Sequence, residues 1–303
     1  MNGPFDRSRT AMPARPPSDA ELPDGDILVS PRYLACSTAI GDPALQPMLD
    51  LGWELRHDDL GNAYVSSPDQ RIRVGYMPEG EDNALWRITA YQDVFASPRW
   101  ACTFSDMAPT EFVTAVTTVL AKVHTDGPEH YLRNYPWQTY KSVAPLVSAN
   151  WSRQAALQQV SFTAPDNLAG LVYDRRALGH ERELTTNDTR WYLWGGPKGY
   201  YRWYGTFSTH TPAHIVTAAT TAVVDPTPVA RWNAEVYGPL RAHAEITPIA
   251  PRPAPTPTPL DIHRAHVAHA RTIPNAASTL RWSTTSPPRR RSPAPPEQRI
   301  RTR

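Results

Sequence analysis

Two stretches of the chain share one pattern of apolar and polar positions. WACTFSDMAPTEFVTAVTTVL, Trp100 to Leu120, and WYGTFSTHTPAHIVTAATTAV, Trp203 to Val223, lie 103 residues apart and agree at ten of twenty-one positions. In each, alternating side chains lead into a Pro, and apolar residues then recur at three- and four-residue spacing. These are Phe112, Val113, Val116, Leu120 and Val123 in one copy, and Ile215, Val216, Ala219 and Val223 in the other. The change of period predicts a strand feeding a helix that packs one face on a sheet. Thr211 is the expected cap, with Pro212 as first helical residue; the first copy has Ala108 at the cap and Glu111 in the first turn. Thr117, Thr118, Thr220 and Thr221 are β-branched, so these helices are expected to depend on packing.

The same correspondence runs upstream. ALQPMLDLGWEL and VAPLVSANWSRQ read as short helices ending at Gly52 and Asn150, the two residue types best suited to a left-handed helix end. Strand pairs follow around SPD (Ser67, Pro68, Asp69) and around Ala164, Pro165 and Asp166; further strands centre on Trp86 and Ile88, on Trp191 and Leu193, and on the residues before Phe104 and Phe207. The predicted fold class is α+β: two homologous repeats, each a roughly four-stranded antiparallel sheet with a short N-terminal and a longer C-terminal helix on one face. Units of this size are marginal alone, so the two are expected to dock. The divisions are a tail over 1–25, a first repeat with an N-terminal arm over 26–126, an aromatic-rich connector over 127–144, a second repeat with a C-terminal packing segment over 145–245, and a tail over 246–303. The arm DILVSPRYLAC is expected to pack on the first repeat, and Tyr131, Leu132, Tyr135, Trp137 and Tyr140 argue that the connector is not a solvated string.

Composition bounds the ends. Of 33 prolines, five precede Gly25 and twelve follow Ala244, so both tails are read as disordered, with one candidate helix at 260–272. From Ala250 onward ten Arg face two acids, a net of +8, against an overall +2, which leaves −6 before it. Only three Lys stand beside 28 Arg, the mark of a GC-rich genome. Cys36 and Cys102 form no metal or disulfide spacing, the start holds no apolar signal core, and no run approaches a bilayer span, so the expectation is a cytoplasmic protein with no membrane partner.

The duplication, the SPD turn, the VSPRYLAC start and the TFSDMAPTEFVTAVTT block together resemble the SPDY-domain family, domain of unknown function family 317, tandem-copy proteins of high-GC actinobacteria. The likeness covers about Ile27 to Trp232. Gln70 stands where the family's namesake Tyr would fall, and the second copy keeps only Ala164, Pro165 and Asp166. The resemblance implies an architecture; it transfers no mechanism, because the family has no established activity or catalytic residues.

Candidate chemistry is sparse. His210 and His214 are four apart, but Pro212 places a helix start between them, so they do not form a zinc-binding pair. His263, His266 and His269 share a helix edge without an acidic or Cys partner nearby. The shared Ser105 and Ser208 follow a strand and precede a helix, which points to local backbone hydrogen bonding. GGPKGYY lacks the phosphate-loop pattern, PEGEDN lacks calcium-loop spacing, and no GxSxG elbow occurs. No catalytic, cofactor-binding or metal residue is therefore named, and no cofactor is expected.

The aromatics of the later strands are the most distinctive feature. Trp86, Trp100, Trp191, Trp194, Tyr201, Trp203 and Tyr204 form the candidate interaction surface, with burial between docked repeats as the alternative. Alternation puts Tyr201 and Trp203 on one face and Arg202 and Tyr204 on the other. The functional expectation is a non-catalytic module for an unknown protein partner. The alternatives are nucleic-acid binding, through exposed aromatic strands or the basic tail (Arg289, Arg290, Arg291, Arg299, Arg301, Arg303), and a small-ligand or enzymatic site in the cleft between repeats.

Overall fold

The computed structural model describes residues 25–38, 41–78, 83–185, 188–198, 202–236 and 238–249. The readings made for the tails, including the helix at 260–272, the His263/His266/His269 edge and the Arg cluster from Arg289 to Arg303, lie outside these residues.

Ten strands form one antiparallel sheet. The first copy contributes β2 (Glu54–His57), β3 (Ala63–Ser66), β4 (Ile72–Tyr76), β5 (Trp86–Ala90) and β6 (Trp100–Phe104). The second contributes β7 (Ser152–Ala155), β8 (Gln159–Thr163), β9 (Ala169–Asp174), β10 (Trp191–Gly195) and β11 (Trp203–Phe207). The order is β2-β3-β4-β5-β6-β11-β10-β9-β8-β7, two five-stranded meanders joined where β6 pairs antiparallel with β11. Each repeat thus has five strands where about four were expected. The additional ones, β2 and β7, are the sheet's edges, and every one of their residues is exposed, so their sequences carry no alternation of burial.

The junction obeys a pseudo-twofold. Thr206 pairs with Thr103, Gly205 with Phe104 and Phe207 with Cys102. The self-equivalent threonines therefore mark the axis, and beside it the equivalent Phe104 and Phe207 meet edge to face with centroids 5.7 Å apart. Gly205 makes room for this contact, since a Cβ there would fall 2.8 Å from the Phe104 ring. The duplicated serines complete the pairing. Tyr204 donates its N–H to Ser105 Oγ and Ala101 donates to Ser208 Oγ, both at 3.0 Å, while the N–H groups of Ser105 and Ser208 return to the Tyr204 and Ala101 carbonyls, also at 3.0 Å. Each serine extends the strand ladder of the opposite copy: the partner is backbone, as expected, but it lies across the β6–β11 junction and not in the local turn.

Helices cover one face. They are α1 (Asp42–Leu49), α2 (Thr110–Thr125), α3 (Pro128–Leu132), α4 (Thr139–Ser148), α5 (His180–Thr185), α6 (Ala213–Val224) and α7 (Gly238–Arg241). In the principal layer α1 packs on α2, α2 on α6 and α6 on α4. α1 and α4 end as expected, on Gly52 (φ 74°) and Asn150 (φ 59°), with the N–H of the following Trp53 and Trp151 bonded back to Met48 O and Leu146 O. The long helices begin one residue later than predicted, so Pro109 and Pro212 occupy the cap position and no side-chain cap bond forms. Thr211 instead lies beside the β6–β11 junction, its Oγ1 3.4 Å from Ala101 O.

A small sheet, β12-β1-β13, is formed by β1 (Asp26–Ser30), β12 (Val229–Trp232) and β13 (Glu245–Pro248) around Ile27, Val29, Ala35, Val229 and Val236. Arg231 locks it to the helical layer. Its side chain is buried, donates to Glu111 through both terminal nitrogens at 2.7 and 2.6 Å, and reaches the Ala35 and Cys36 carbonyls.

The arm does not pack as expected. Tyr33 docks on the second copy: its carbonyl accepts the Trp203 Nε1–H at 2.8 Å, its hydroxyl donates to Asp166 at 2.7 Å, and its ring meets Trp151 edge-on. Tyr131, in the segment that leads into the second copy, does the same to the first. Its carbonyl accepts the Trp100 Nε1–H at 2.7 Å and its hydroxyl donates to Asp69 at 3.1 Å. Tyr33-Leu34 and Tyr131-Leu132 are thus one further duplicated element, and the leader of each copy is held by the other copy's tryptophan and turn aspartate.

Candidate interaction surfaces

The tryptophans shared by the strands belong to the core. Trp86 and Trp100 are 0% exposed, Trp203 1% and Trp191 3%, all on the face beneath the helices; Phe112 of α2, for example, packs on Trp203 with ring centroids 5.1 Å apart. Burying one such ring is worth about 4–6 kcal/mol at ~25 cal/mol per Å² over 150–250 Å². That exceeds the roughly 1 kcal/mol of its indole hydrogen bond. These four residues are consequently no part of a surface, because the strand parity that aligns them is the parity the helices cover. They are sandwiched between sheet and helices rather than between two docked repeats.

Trp194 and Tyr204 lie on the opposite face, half-buried, as strand alternation separates them from Trp203. Trp194 lies flat on the backbone at Gly170, where a Cβ would fall 2.5 Å from the indole, and Arg202 stacks over it with its guanidinium carbon 3.8 Å from the centroid. Tyr201 lies outside the described residues.

A second candidate surface emerges on the outer side of the helical layer. A groove of about 970 Å³ runs between α2 and α6, with Thr110, Thr114, Ala115, Thr118 and Val119 on one wall and Thr217, Ala218, Thr221 and Ala222 on the other. Three of the ten identical pairs, Thr114/Thr217, Ala115/Ala218 and Thr118/Thr221, line it. The threonine hydroxyls turn inward: Thr114 donates to Thr110 O at 2.9 Å, Thr118 to Thr114 O at 2.7 Å and Thr217 to Ala213 O at 2.7 Å. The groove is therefore lined largely by methyl groups.

Its charged rim is mostly taken up in pairs. Arg32 bridges Asp225 at 2.9 Å and Glu111 is held by Arg231, while Lys141 and His214 stand on the rim nearer the second copy. Burial, with His130 nearby, pushes His214 below its usual pKa. Beside Gln138 and Lys141, the connector presents Trp137, 70% exposed, and Tyr140, 63% exposed, with Tyr135 against Trp137 at 4.9 Å. Tyr131 and Leu132 are buried as the reading of the connector implies, but these three aromatics face outward.

The histidines separate as predicted. His210 sits in the turn after β11, 5.8 Å between ring centroids from His180 of α5, and His214 lies on α6 facing the groove. Burial, with Arg99 next in weight, lowers the His210 pKa. Burial raises that of Glu183, although the Thr209 N–H and hydroxyl and the Arg190 N–H all donate to it. Glu183 acts as a brace joining α5 to the turn before α6. Among the described residues no group of three His, Cys, Asp or Glu side chains converges on a metal position. Cys36 and Cys102 are buried and form no disulfide, and burial pushes the Cys102 thiol upward. No helix among the described residues is long and apolar enough to cross a membrane. The PEGEDN loop falls mostly outside the described residues.

The SPD turn proves to be a structural site. Ser67 Oγ accepts the Ile72 N–H and donates to Asp69, Asp69 accepts the Arg71 N–H, and Gln70 adopts a left-handed conformation (φ 60°), as does Asn167 (φ 61°) in the second copy. Burial opposes the charge on Asp69, but bonds from Ser67, the Arg71 N–H and Tyr131, with His124 nearby, outweigh it and hold its pKa below the usual value. The same arrangement raises Tyr131 to about 12, through burial first and the Asp69 charge second.

No curated protein and no solved structure matches the chain. One family model matches it twice, over residues 66–125 and 163–229, in each case from the aspartate turn, or the strand leading into it, through the long helix. With duplicated turn, strands and helix all in register, both repeats match the model of the SPDY-domain family, a domain of unknown function (DUF317), which the chain resembles over these two segments.

Proposed function

We propose that the tandem repeat is a non-catalytic interaction module and that the groove between α2 and α6 receives an amphipathic helix from a protein partner. The observation that carries this reading is the methyl-lined groove on the pseudo-twofold, flanked by exposed Trp137 and Tyr140. Apolar concavities rimmed by aromatic residues gain most from burial against an apolar stripe, and aromatic anchors dominate such interfaces. The α2 wall from Thr110 to Val119 is about 14 Å long at ~1.5 Å per residue, about two and a half turns of helix, which is room for anchors at i, i+3 or i+4, and i+7. The paired rim charges favour docking over chemistry: Arg32, Asp225 and Glu111 neutralise one another or are neutralised by Arg231 instead of converging on a reactant.

Capture from the native host with the full chain tests this reading. Thr118→Arg with Thr221→Arg places two long charged side chains in the groove from solvent-facing positions and should leave folding intact. A partner retained by the wild type and by a surface control, but lost on this double variant and weakened by Trp137→Ala, supports the reading. A partner that binds the groove variant unchanged refutes it.

A further inference from the structure

The face of the sheet opposite the helices carries an asymmetry that packing does not require. Where β5 and β6 of the first copy present Arg87, Thr89 and Ala101, the equivalent positions of β10 and β11 hold Tyr192, Trp194 and Tyr204. The copies agree beneath the helices and diverge here. One register crosses the face through the pseudo-twofold, from Arg56 by Tyr64, Gly75, Arg87, Thr103, Thr206 and Tyr192 to Val172, Ser161 and Gln154. The next register on the first copy runs Glu54, Ser66, Arg73, Thr89, Ala101. Of the charges in these two rows, Glu54 is bonded to Arg56, which leaves Arg73 and Arg87 in excess on a chain whose residues before Ala250 sum to −6.

Two arginines of this face lie over aromatic rings. The Arg73 guanidinium carbon lies 4.6 Å from the Tyr91 centroid and that of Arg202 3.8 Å from the Trp194 centroid. Across the axis Tyr192 and Tyr204 lie nearly parallel, 15° apart with centroids separated by 6.2 Å. Guanidinium groups set over aromatic rings and near-parallel phenol rings on one face of an antiparallel sheet, with an excess of positive charge, match one class of ligand: unpaired bases that stack, joined by phosphates that need Arg. We infer that this face binds single-stranded nucleic acid, the backbone following Arg73 and Arg87 and the bases stacking on Tyr192 and Tyr204 and on the ring-backed guanidinium groups of Arg73 and Arg202. The site lies on the opposite side of the sheet from the helical groove and stands or falls separately from it.

The test is fluorescence anisotropy of the full chain with labelled oligo-dT and oligo-U of about twenty nucleotides, and a duplex of equal length, between 50 and 200 mM salt. Circular dichroism confirms that each variant is folded. Arg73→Ala with Arg87→Ala should weaken single-strand binding about tenfold or more and flatten its salt dependence. Tyr192→Ala should weaken it several-fold at unchanged salt slope, because stacking releases no counterions. Arg289→Gln, Arg290→Gln and Arg291→Gln together, in the basic tail, should leave the effect of the sheet variants intact. Absence of binding at 50 mM salt overturns the inference. So does binding that the tail variant abolishes and the sheet variants spare, and so does duplex binding as tight as single-strand binding. Displacement of the oligonucleotide by polyglutamate of equal charge at equal concentration also overturns it, in favour of an acidic protein surface.

Discussion

Thr103 lies directly opposite Thr206 in the central strand pair, and the two are the same position of the two copies. A residue paired with its own duplicate marks a twofold axis, so the repeats are halves of one sheet. The reciprocal bonds of Ser105 and Ser208 and the exchanged contacts of Tyr33 and Tyr131 follow the same symmetry.

The serines give a prediction with an internal control. Ser105→Ala leaves the Tyr204 N–H without its acceptor and Ser208→Ala does the same to Ala101, each at the seam. Each substitution should cost about 1–3 kcal/mol, the penalty of leaving a part-buried donor unsatisfied. Because the sites are symmetry-related, the two costs measured by urea denaturation should agree within about 0.5 kcal/mol.

Asp69 makes stability depend on acid. Its folded pKa lies below the usual carboxylate value, so its contribution is present above the unfolded pKa and is lost as pH falls through the folded one. Asp69→Asn should therefore be less stable than the wild type near pH 6, and the gap should close on acidification below pH ~4. A gap that stays constant down to pH ~3 would mean that the charge on Asp69 contributes nothing.

Glu111 is the carboxylate that compensates the buried Arg231 guanidinium. Glu111→Gln should cost about 3 kcal/mol, since breaking one side of a buried pair leaves its charge exposed to a low dielectric. Among the described residues the equivalent His214 has no such partner in the second copy, so His214→Gln should shift the urea midpoint far less. The readout is the midpoint of unfolding at constant slope.

Much of the scaffold was legible because it is written locally. The period change before Phe112 and Ile215, the Gly52 and Asn150 helix ends, the turns at Asp69 and Asp166 and the split between Trp203 and Tyr204 all depend on neighbours in sequence. The β6–β11 pairing was not legible, since it joins strands with no connecting turn and leaves no periodic trace. Alternation separated Trp203 from Tyr204 but could not say which side the helices would cover, and Trp86, Trp100, Trp191 and Trp203 fell on the covered side. Tyr33-Leu34 and Tyr131-Leu132 recur in the sequence, yet two residues are too short a signal to find without the tryptophans they meet. A cleft between the repeats was among the expectations, but the apolar lining of the groove was not legible, because Thr114, Thr118 and Thr217 read as polar until their hydroxyls are seen bonded to their own helices.

Hydrogen exchange read by mass spectrometry tests the one-body account most directly. Ile88→Ala removes a buried side chain from β5 of the first copy and should cost about 2–5 kcal/mol. If both copies open as one cooperative unit, the slowest amides of β10 and β11 in the second copy will speed up by the same factor as those of β5 and β6. If the second copy's protection is unchanged while the first copy's falls, the repeats are independent domains and the shared sheet, with its exchanged tyrosines, does not hold them together.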